Sequence, residues 1–405
     1  MRKLYPFQET CVDFHLRTPY SINACEMGLG KSVMAMRTAK AAGVSRLAVF
    51  GPKYLERVWE MEAEAEKIPV TYFPYSILTK FKPKDLAGFP MWVAEEAAYL
   101  KNPEAIRTEA FVALLRACLP ERLLLLTGTP IKNRVPDIWT LIGMTSLDPN
   151  EKTRREMPVQ FKRWRGFCRH FCRTELVQMR ARTFEKFYDL KPDKVEEFRQ
   201  LLNGRMIRFL AKDVLHDLPD LIEKYVLSDL KPVPDLLEEF EAYQKGRLVD
   251  PKAKSLSALL KTEATVERVK AILDSGYGPV LVFSDHVEPV RRIAAEFKTA
   301  VYVTGQTPAY ARADAVERFQ NGRVEVLSAT IGAMATGVTL TKARHVVFND
   351  LSWVPSDNEQ ALKRIHRIGQ KETCMAHYMV ASKTDEYIAK TLRQKAAAIA
   401  EALSP

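Results

Sequence analysis

The sequence predicts an α/β fold of two parallel-sheet lobes with helical insertions between them. Three observations carry that prediction. From residue 20 to residue 130 short apolar runs alternate with longer amphipathic segments, the same alternation returns from about 275 to 385, and the stretch between, about 135 to 215, reads as helical and basic. Strand followed by helix at this spacing is the pattern of βαβ units around a parallel sheet.

In chain order, YSINAC is the first predicted strand and SVMAMRTAKAAG its helix. RLAVFGP then pairs with LERVWEMEAEAEK, MWVAEE with EAIRTEAFVALLRACL, and RLLLLTG closes the first set. In the second set PVLVFSD precedes VEPVRRIAAEFK, VEVLSAT precedes a loop containing Gly and Thr, and HVVFND precedes DNEQALKRIHRI. The boundaries drawn from this pattern are a first lobe at 1–145, a basic helical insertion and lobe junction at 146–215, and a second lobe at 216–405 with a helical insertion at about 232–272.

A chain of 405 residues with 47% apolar content buries large cores and divides into more than one domain. Sixty-one Lys and Arg against 50 Asp and Glu leave a formal charge of +11, which favours a polyanionic partner, either nucleic acid or an acidic membrane surface. Residues 151–190 hold eleven Lys or Arg against five acids, a net of +6, interleaved with Trp164 and several Phe. Such a run can be a solvated face or a phosphate-contacting one. The chain shows no apolar run of membrane-spanning length and MRKLYPFQETCVDF lacks the apolar core of a secretion signal, so the expectation is a cytoplasmic protein without a membrane partner. The six cysteines are scattered, and the cluster Cys168, His170, Cys172 has no second ligand pair at usable spacing, so no metal is expected there.

CEMGLGKS, residues 25–32, lies between a predicted strand and a predicted helix. Gly28 and Gly30 have no Cβ to keep backbone N–H groups away from phosphate oxygens. Lys31 supplies a point charge for the β and γ phosphates and Ser32 a hydroxyl for Mg²⁺. The strict phosphate-loop pattern has Gly where this chain has Cys25. Glu95 and Glu96 end the MWVA run, and in a phosphate-loop enzyme one such acid holds the water shell of Mg²⁺ while a second orients and deprotonates the attacking water. RLLLLTGTP, residues 122–130, ends in a hydroxyl-rich turn suited to the γ phosphate.

Together YPFQ (5–8), EMGLGKS, AEEAAYLKN and LTGTPIKN resemble the first lobe of superfamily 2 helicase-like ATPases. ATGVTLTKARHVVFNDLSWVPSDNEQALKRIHRIGQ, residues 335–370, resembles the second lobe of the SWI/SNF-related branch, and RMIRFLAKDVLHDLP, residues 205–219, resembles its lobe junction. The GVTLT loop and the junction segment are most similar to the annealing-helicase subgroup. The resemblance implies two RecA-like lobes, ATP and Mg²⁺ as cofactors, and double-stranded or forked DNA as partner. Without room for accessory modules, it also implies a minimal monomeric motor from a phage or another prokaryote, with DNA repair, recombination, replication restart and transcription all open as its pathway.

Carried over by residue, the resemblance implies that Gln8 reads the adenine edge with Tyr5 or Phe7 near the ring, and that Gly28, Gly30, Lys31 and Ser32 hold the phosphates and Mg²⁺. Arg364 and Arg367, three apart on an expected helix, point at the γ phosphate, and Gly337 and Gln360 line the same cleft. Candidate DNA contacts are Lys53, Ser284, Thr336, Thr341 and Trp353. The family carries Asp-Glu-Ala-His where this chain reads Glu95, Glu96, Ala97, Ala98, which bears on how hydrolysis is coupled to DNA movement. The implied function is a duplex-DNA translocase, with a strand-separating helicase and a degenerate ATPase acting as a DNA clamp as the alternatives.

Overall fold

The computed structural model describes residues 3–179, 182–228, 238, 251–334 and 338–403. It divides into two compact units, residues 1–216 with 395–405, and residues 217–394.

The first unit is built on a six-stranded parallel sheet. In chain order its strands are β1 (Tyr20–Asn23), β2 (Leu47–Gly51), β3 (Val70–Pro74), β4 (Met91–Ala94) and β5 (Arg122–Leu126). After β6 (Cys172–Met179) and β7 (Arg182–Leu190), which stand apart, β8 (Met206–Ile207) completes it in the order β3-β2-β4-β5-β1-β8. β1, β2 and β4 are buried along their whole length, as expected where helices cover both faces of a parallel sheet. The apolar residues of one face (Phe50, Trp92, Leu123, Leu125) join the helix Ile106–Cys118 in the main core, and those of the other (Val49, Val93, Leu124, Leu126) pack on the helices Lys31–Ala41 and Glu56–Glu66. Ala402 and Leu403, at the end of the helix Lys383–Leu403, also enter the main core.

The second unit repeats the design with β9 (Leu221–Leu227), β10 (Val280–Ser284), β11 (Ala300–Val303), β12 (Val326–Thr330), β13 (His345–Phe348) and β14 (Cys374–Val380), all parallel, in the order β11-β12-β10-β13-β14-β9. The expected α/β fold of two parallel sheets is thus present. Of the helical insertion expected at 232–272, the helices Pro251–Leu260 and Thr262–Asp274 are described, and nearly all of its residues before Pro251 lie outside the described residues.

Residues 146–215 differ from the helical expectation. The helices Trp164–Phe171 and Val195–Leu202 form, but between them β6 and β7 pair antiparallel as a separate two-stranded ribbon. The physical reason lies in the composition of RTFEKFY, whose Thr183, Phe184, Phe187 and Tyr188 are β-branched or aromatic and pack well on a pleated strand. Trp164 packs edge-on against Phe187 and Arg169 grips Glu185 through two hydrogen bonds, which tie the ribbon to the preceding helix. Cys168 and Cys172 are buried, and His170 Nε2 lies 2.7 Å from a Glu197 carboxylate oxygen.

Candidate active site

The phosphate loop leaves the buried end of β1 and enters the helix Lys31–Ala41 through Gly30, whose φ of +81° is left-handed. Glycine is required there by the backbone, and a Cβ at Gly30 would also come within 2.7 Å of Gln8 Nε2 and displace that side chain. Asn23 Oδ1 accepts from Cys25 N at the start of the loop, and its Nδ2 meets buried His15, whose pKa falls to about 3 through desolvation and the Arg122 charge. The Lys31 ammonium donates to the carbonyls of Cys25 (2.9 Å) and Glu26 (3.2 Å).

Gln8 lies on the helix Pro6–Arg17, buried, with its Nε2 donating to Leu29 O at 2.9 Å and its Oε1 accepting from Tyr5 N. Tyr5 is 46% exposed and stacks on Phe7. Gln8 is therefore bonded to the phosphate loop through Leu29, with the Tyr5 backbone N–H on its other side.

Glu95 follows the last residue of β4. Its Oε2 is buried without a hydrogen-bond partner. Desolvation first, and the Glu96 carboxylate second, push its pKa up to about 7, while the Lys31 charge pulls in the opposite direction. A buried, unpaired carboxylate oxygen within the field of the loop lysine fits a Mg²⁺ hydration shell, and Ser32 at the start of the adjoining helix is the hydroxyl that would join it. Glu96 is half-buried and adopts φ +49°, ψ +51°, a conformation that L side chains rarely take and that marks functional turns. Ala98 is buried.

Sequence reasoning named the LTGTP turn but missed Gly128 within it. A Cβ there would lie 2.7 Å from Met27 Cγ and 3.5 Å from Lys31 Nζ, so this turn is pressed against the phosphate loop. Glu26 was also missed. Its carboxylate is buried and accepts from Ala211 N at 2.6 Å. A loop glycine after an apolar strand was the available signal for Gly128, whereas nothing local in the sequence pointed to a contact between residues 26 and 211.

In the second unit Arg364 is buried, Arg367 is half-buried, and both donate to the single carbonyl of Val338, at 3.3 and 3.4 Å. Burial lowers the Arg367 pKa. The expectation of a shared helix face is corrected here: the helix Pro355–Leu362 ends before both arginines, and they converge through the turns that follow it. Gln360 is buried on that helix. Thr336 and Gly337 lie outside the described residues.

The other candidate DNA contacts divide. Lys53 is exposed beyond β2 and pairs with Glu56. Thr341 and Trp353 are half-exposed, with the Lys254 ammonium 6.0 Å from the Trp353 ring centre. Ser284 departs from the expectation. It is fully buried and its hydroxyl donates to Asp350, which His286 also contacts at 3.0 Å, so this side chain is committed to the interior.

Two parallel α/β units, the first with a phosphate loop facing a buried acid and the second with converging arginines, define a helicase-like ATPase core. Residues 58–273 match the SNF2-related domain and residues 264–369 the helicase conserved C-terminal domain, and the chain belongs to the SNF2-related family. It is 28% identical over 447 residues to mouse "DNA annealing helicase and endonuclease ZRANB3", covering 97% of this chain and 40% of the relative. It is 27% identical to the Xenopus laevis "SWI/SNF-related matrix-associated actin-dependent regulator of chromatin subfamily A-like protein 1", covering 98% and 44%. The chain thus spans less than half the length of these curated relatives. The solved "Sulfolobus solfataricus SWI2/SNF2 ATPase core in complex with dsDNA" aligns at 21% identity with a TM-score of 0.43, over 99% of this chain and 93% of that one. Among the described residues no helix is long and apolar enough to cross a membrane.

Proposed function

We propose that the chain is an ATP-driven translocase on double-stranded DNA, able to remodel or reanneal forked substrates. The observation that carries this reading is the buried, unpaired Glu95 oxygen in the field of Lys31, an arrangement of charge that a metal-bound triphosphate would complete. The mouse and Xenopus relatives, the former a DNA annealing helicase by name, support the choice of substrate.

In the proposed cycle the adenine rests by Tyr5 and Gln8, and the loop N–H groups with Lys31 take the phosphates. Mg²⁺, held by Ser32 and through water by Glu95, would neutralise charge on the β and γ phosphates. Glu96 accepts a proton from water as the water oxygen bonds to Pγ and the bridging oxygen between Pβ and Pγ leaves with ADP. Arg364 and Arg367 exchange the Val338 carbonyl for the oxygens of the transferring group, where guanidinium forks suit spread charge. Alternate closing and opening of the two units would shift the DNA backbone, contacted through phosphates by Lys53, Thr341, the Trp353 loop and the basic residues of 151–190.

The test is the steady-state ATPase rate with matched single-stranded, duplex and forked DNA, and with RNA. Turnover should rise many-fold with duplex and collapse in Lys31→Ala and Glu96→Gln. Stimulation by RNA alone, or turnover indifferent to all nucleic acids, would defeat the reading. Displacement of a strand from a tailed duplex would replace the translocase with a strand-separating helicase.

A further inference from the structure

Glu26 sits inside the phosphate loop, and its bonds join the loop lysine to residues 209 and 211. Its backbone N–H donates to Phe209 O at 2.9 Å, its buried carboxylate accepts from Ala211 N at 2.6 Å, and its own carbonyl accepts from Lys31 Nζ at 3.2 Å. One residue upstream of the loop, Ala24 N donates to Ile207 O, extending the β1–β8 pairing. Ala211 opens the one-turn helix Ala211–Val214, and the chain passes into the second unit at Asp217, five residues after Lys212.

We infer that Glu26 is a positioning residue that passes phosphate occupancy of the loop to the 209–215 segment, the last part of the first unit before the chain crosses to the second. The inference rests on the loop binding nucleotide. The physical step is an exchange of hydrogen bonds. When triphosphate oxygens compete for the Lys31 ammonium, the carbonyl of Cys25 loses that donor and the carbonyl of Glu26 keeps only the longer bond from Leu29 N (3.4 Å), so the backbone on either side of Glu26 is less restrained. Any turn at residue 26 is felt at Phe209 through its N–H and at Ala211 through its carboxylate. A loop that merely bound phosphate would have no need of a buried charge reaching 185 positions along the chain to a helix start.

Hydrogen exchange on the full chain, with and without Mg²⁺ and a non-hydrolysable ATP analogue, reads the amides of 209–215 and of 27–33 separately. In the wild type the analogue should protect 27–33 and change exchange at 209–215 about tenfold, a typical coupling magnitude. Glu26→Ala removes the acceptor, and Ala211→Pro removes only the donor. Proline is compatible there because Ala211 is the first helical residue and Leu210 is already extended at φ −98°, ψ 147°. Both variants should keep protection at 27–33, lose the response at 209–215, and lose about tenfold of the stimulation of turnover by duplex DNA. Glu26→Gln, whose amide oxygen still accepts from Ala211 N, should regain most of both. Loop protection in the wild type without any response at 209–215, or a response that survives Ala211→Pro, would overturn the inference. An analogue that fails to protect 27–33 would overturn the nucleotide reading itself, and the inference with it.

Discussion

Glu95→Gln should make the first unit more stable above neutral pH while removing turnover. In the folded chain burial and the neighbouring Glu96 raise the Glu95 pKa from 4.5 to about 7. At about 1.4 kcal/mol per pKa unit, that rise corresponds to about 3 kcal/mol of penalty on the ionised folded state. The sign follows from proton binding. Between pH 4.5 and about 7 the folded chain holds this proton more tightly than the unfolded chain does, so the stabilising contribution is complete below pH 4.5 and is lost as pH rises through about 7. Glutamine is a neutral near-isostere that never titrates. In metal-free buffer the variant should therefore gain up to about 3 kcal/mol over wild type at pH 8, and the gain should shrink towards zero near pH 5. Exchange of the β4 and β5 amides reads the first unit alone, which matters because a chain of two units need not unfold in one step. Turnover should fall about 100-fold or more. A stability difference that is the same at pH 5 and pH 8, or a variant less stable than wild type at pH 8, would show that Glu95 is not an ionised buried group and that the reasoning about its orphaned oxygen is wrong.

Arg364→Ala and Arg367→Ala should each lower kcat by about 1,000-fold with little change in the Kd of a fluorescent ATP analogue, and Arg367→Lys should not restore the rate, because a lysine lacks the planar fork. In the second unit Asp385→Ala should cost about 3–5 kcal/mol, since it strands the Lys261 ammonium, which is 1% exposed and bonded to Asp385 at 2.7 Å. Lys261→Met should cost less, because Asp385 keeps the N–H groups of Ala381 and Ser382 and the hydroxyl of Ser382 as donors; exchange of the β10 and β13 amides measures both. Half-saturation of the ATPase by duplex DNA should shift to higher concentration along a straight line in log salt. Charge-removing substitutions at Lys162, Arg163 and Arg165, all exposed, should make that line shallower by about one for each DNA phosphate left unneutralised.

The parts of the site that were legible in the sequence are those whose logic is local. The loop from Cys25 to Ser32 and the Glu95–Glu96 pair sit at strand exits, and a strand exit is visible as an apolar run meeting glycine or acid. The ribbon of β6 and β7 was hidden because Phe184, Phe187 and Tyr188 are spaced three and four apart, as on a helix face, and only the β-branched and aromatic composition of RTFEKFY favours a strand. Ser284 was misplaced for a different reason. A hydroxyl at the end of a buried strand looks available, and only tertiary contact reveals that Asp350, 66 positions later, accepts its hydrogen bond. The arginine pair is legible by resemblance but its backbone is not, because the helical spacing continues past Leu362 and the turn that ends the helix has no glycine or proline before Gly369. The contact of Glu26 with Ala211 had no signature at all, since a hydrogen bond to a backbone N–H imposes no residue type on the donor.

Five cations among the described residues differ in the acceptor they face. Lys261 faces Asp385, Lys254 faces Asp285 at 2.5 Å, and Arg37 faces Glu66 at 2.8 Å, all within buried or partly buried ion pairs whose rupture leaves a charge uncompensated. Lys31 and Arg367 face neutral carbonyl oxygens, those of Cys25 and Glu26 for the first and of Val338 for the second. A neutral hydrogen bond contributes only about 0.5–1.5 kcal/mol net, and bonds to an ionised acceptor are roughly twice as strong. Transfer of Lys31 or Arg367 from carbonyl to phosphate is therefore favourable at the bond itself, whereas transfer of Lys261 would first have to break a buried pair worth several times as much. Holding a cation on carbonyls keeps it oriented without neutralising it, so the field it projects remains available to an arriving anion. The same argument explains why Glu95 Oε2 can stay without a hydrogen bond in the field of Lys31. A direct ion pair between them would satisfy both groups and close the site to the phosphate that each is placed to receive.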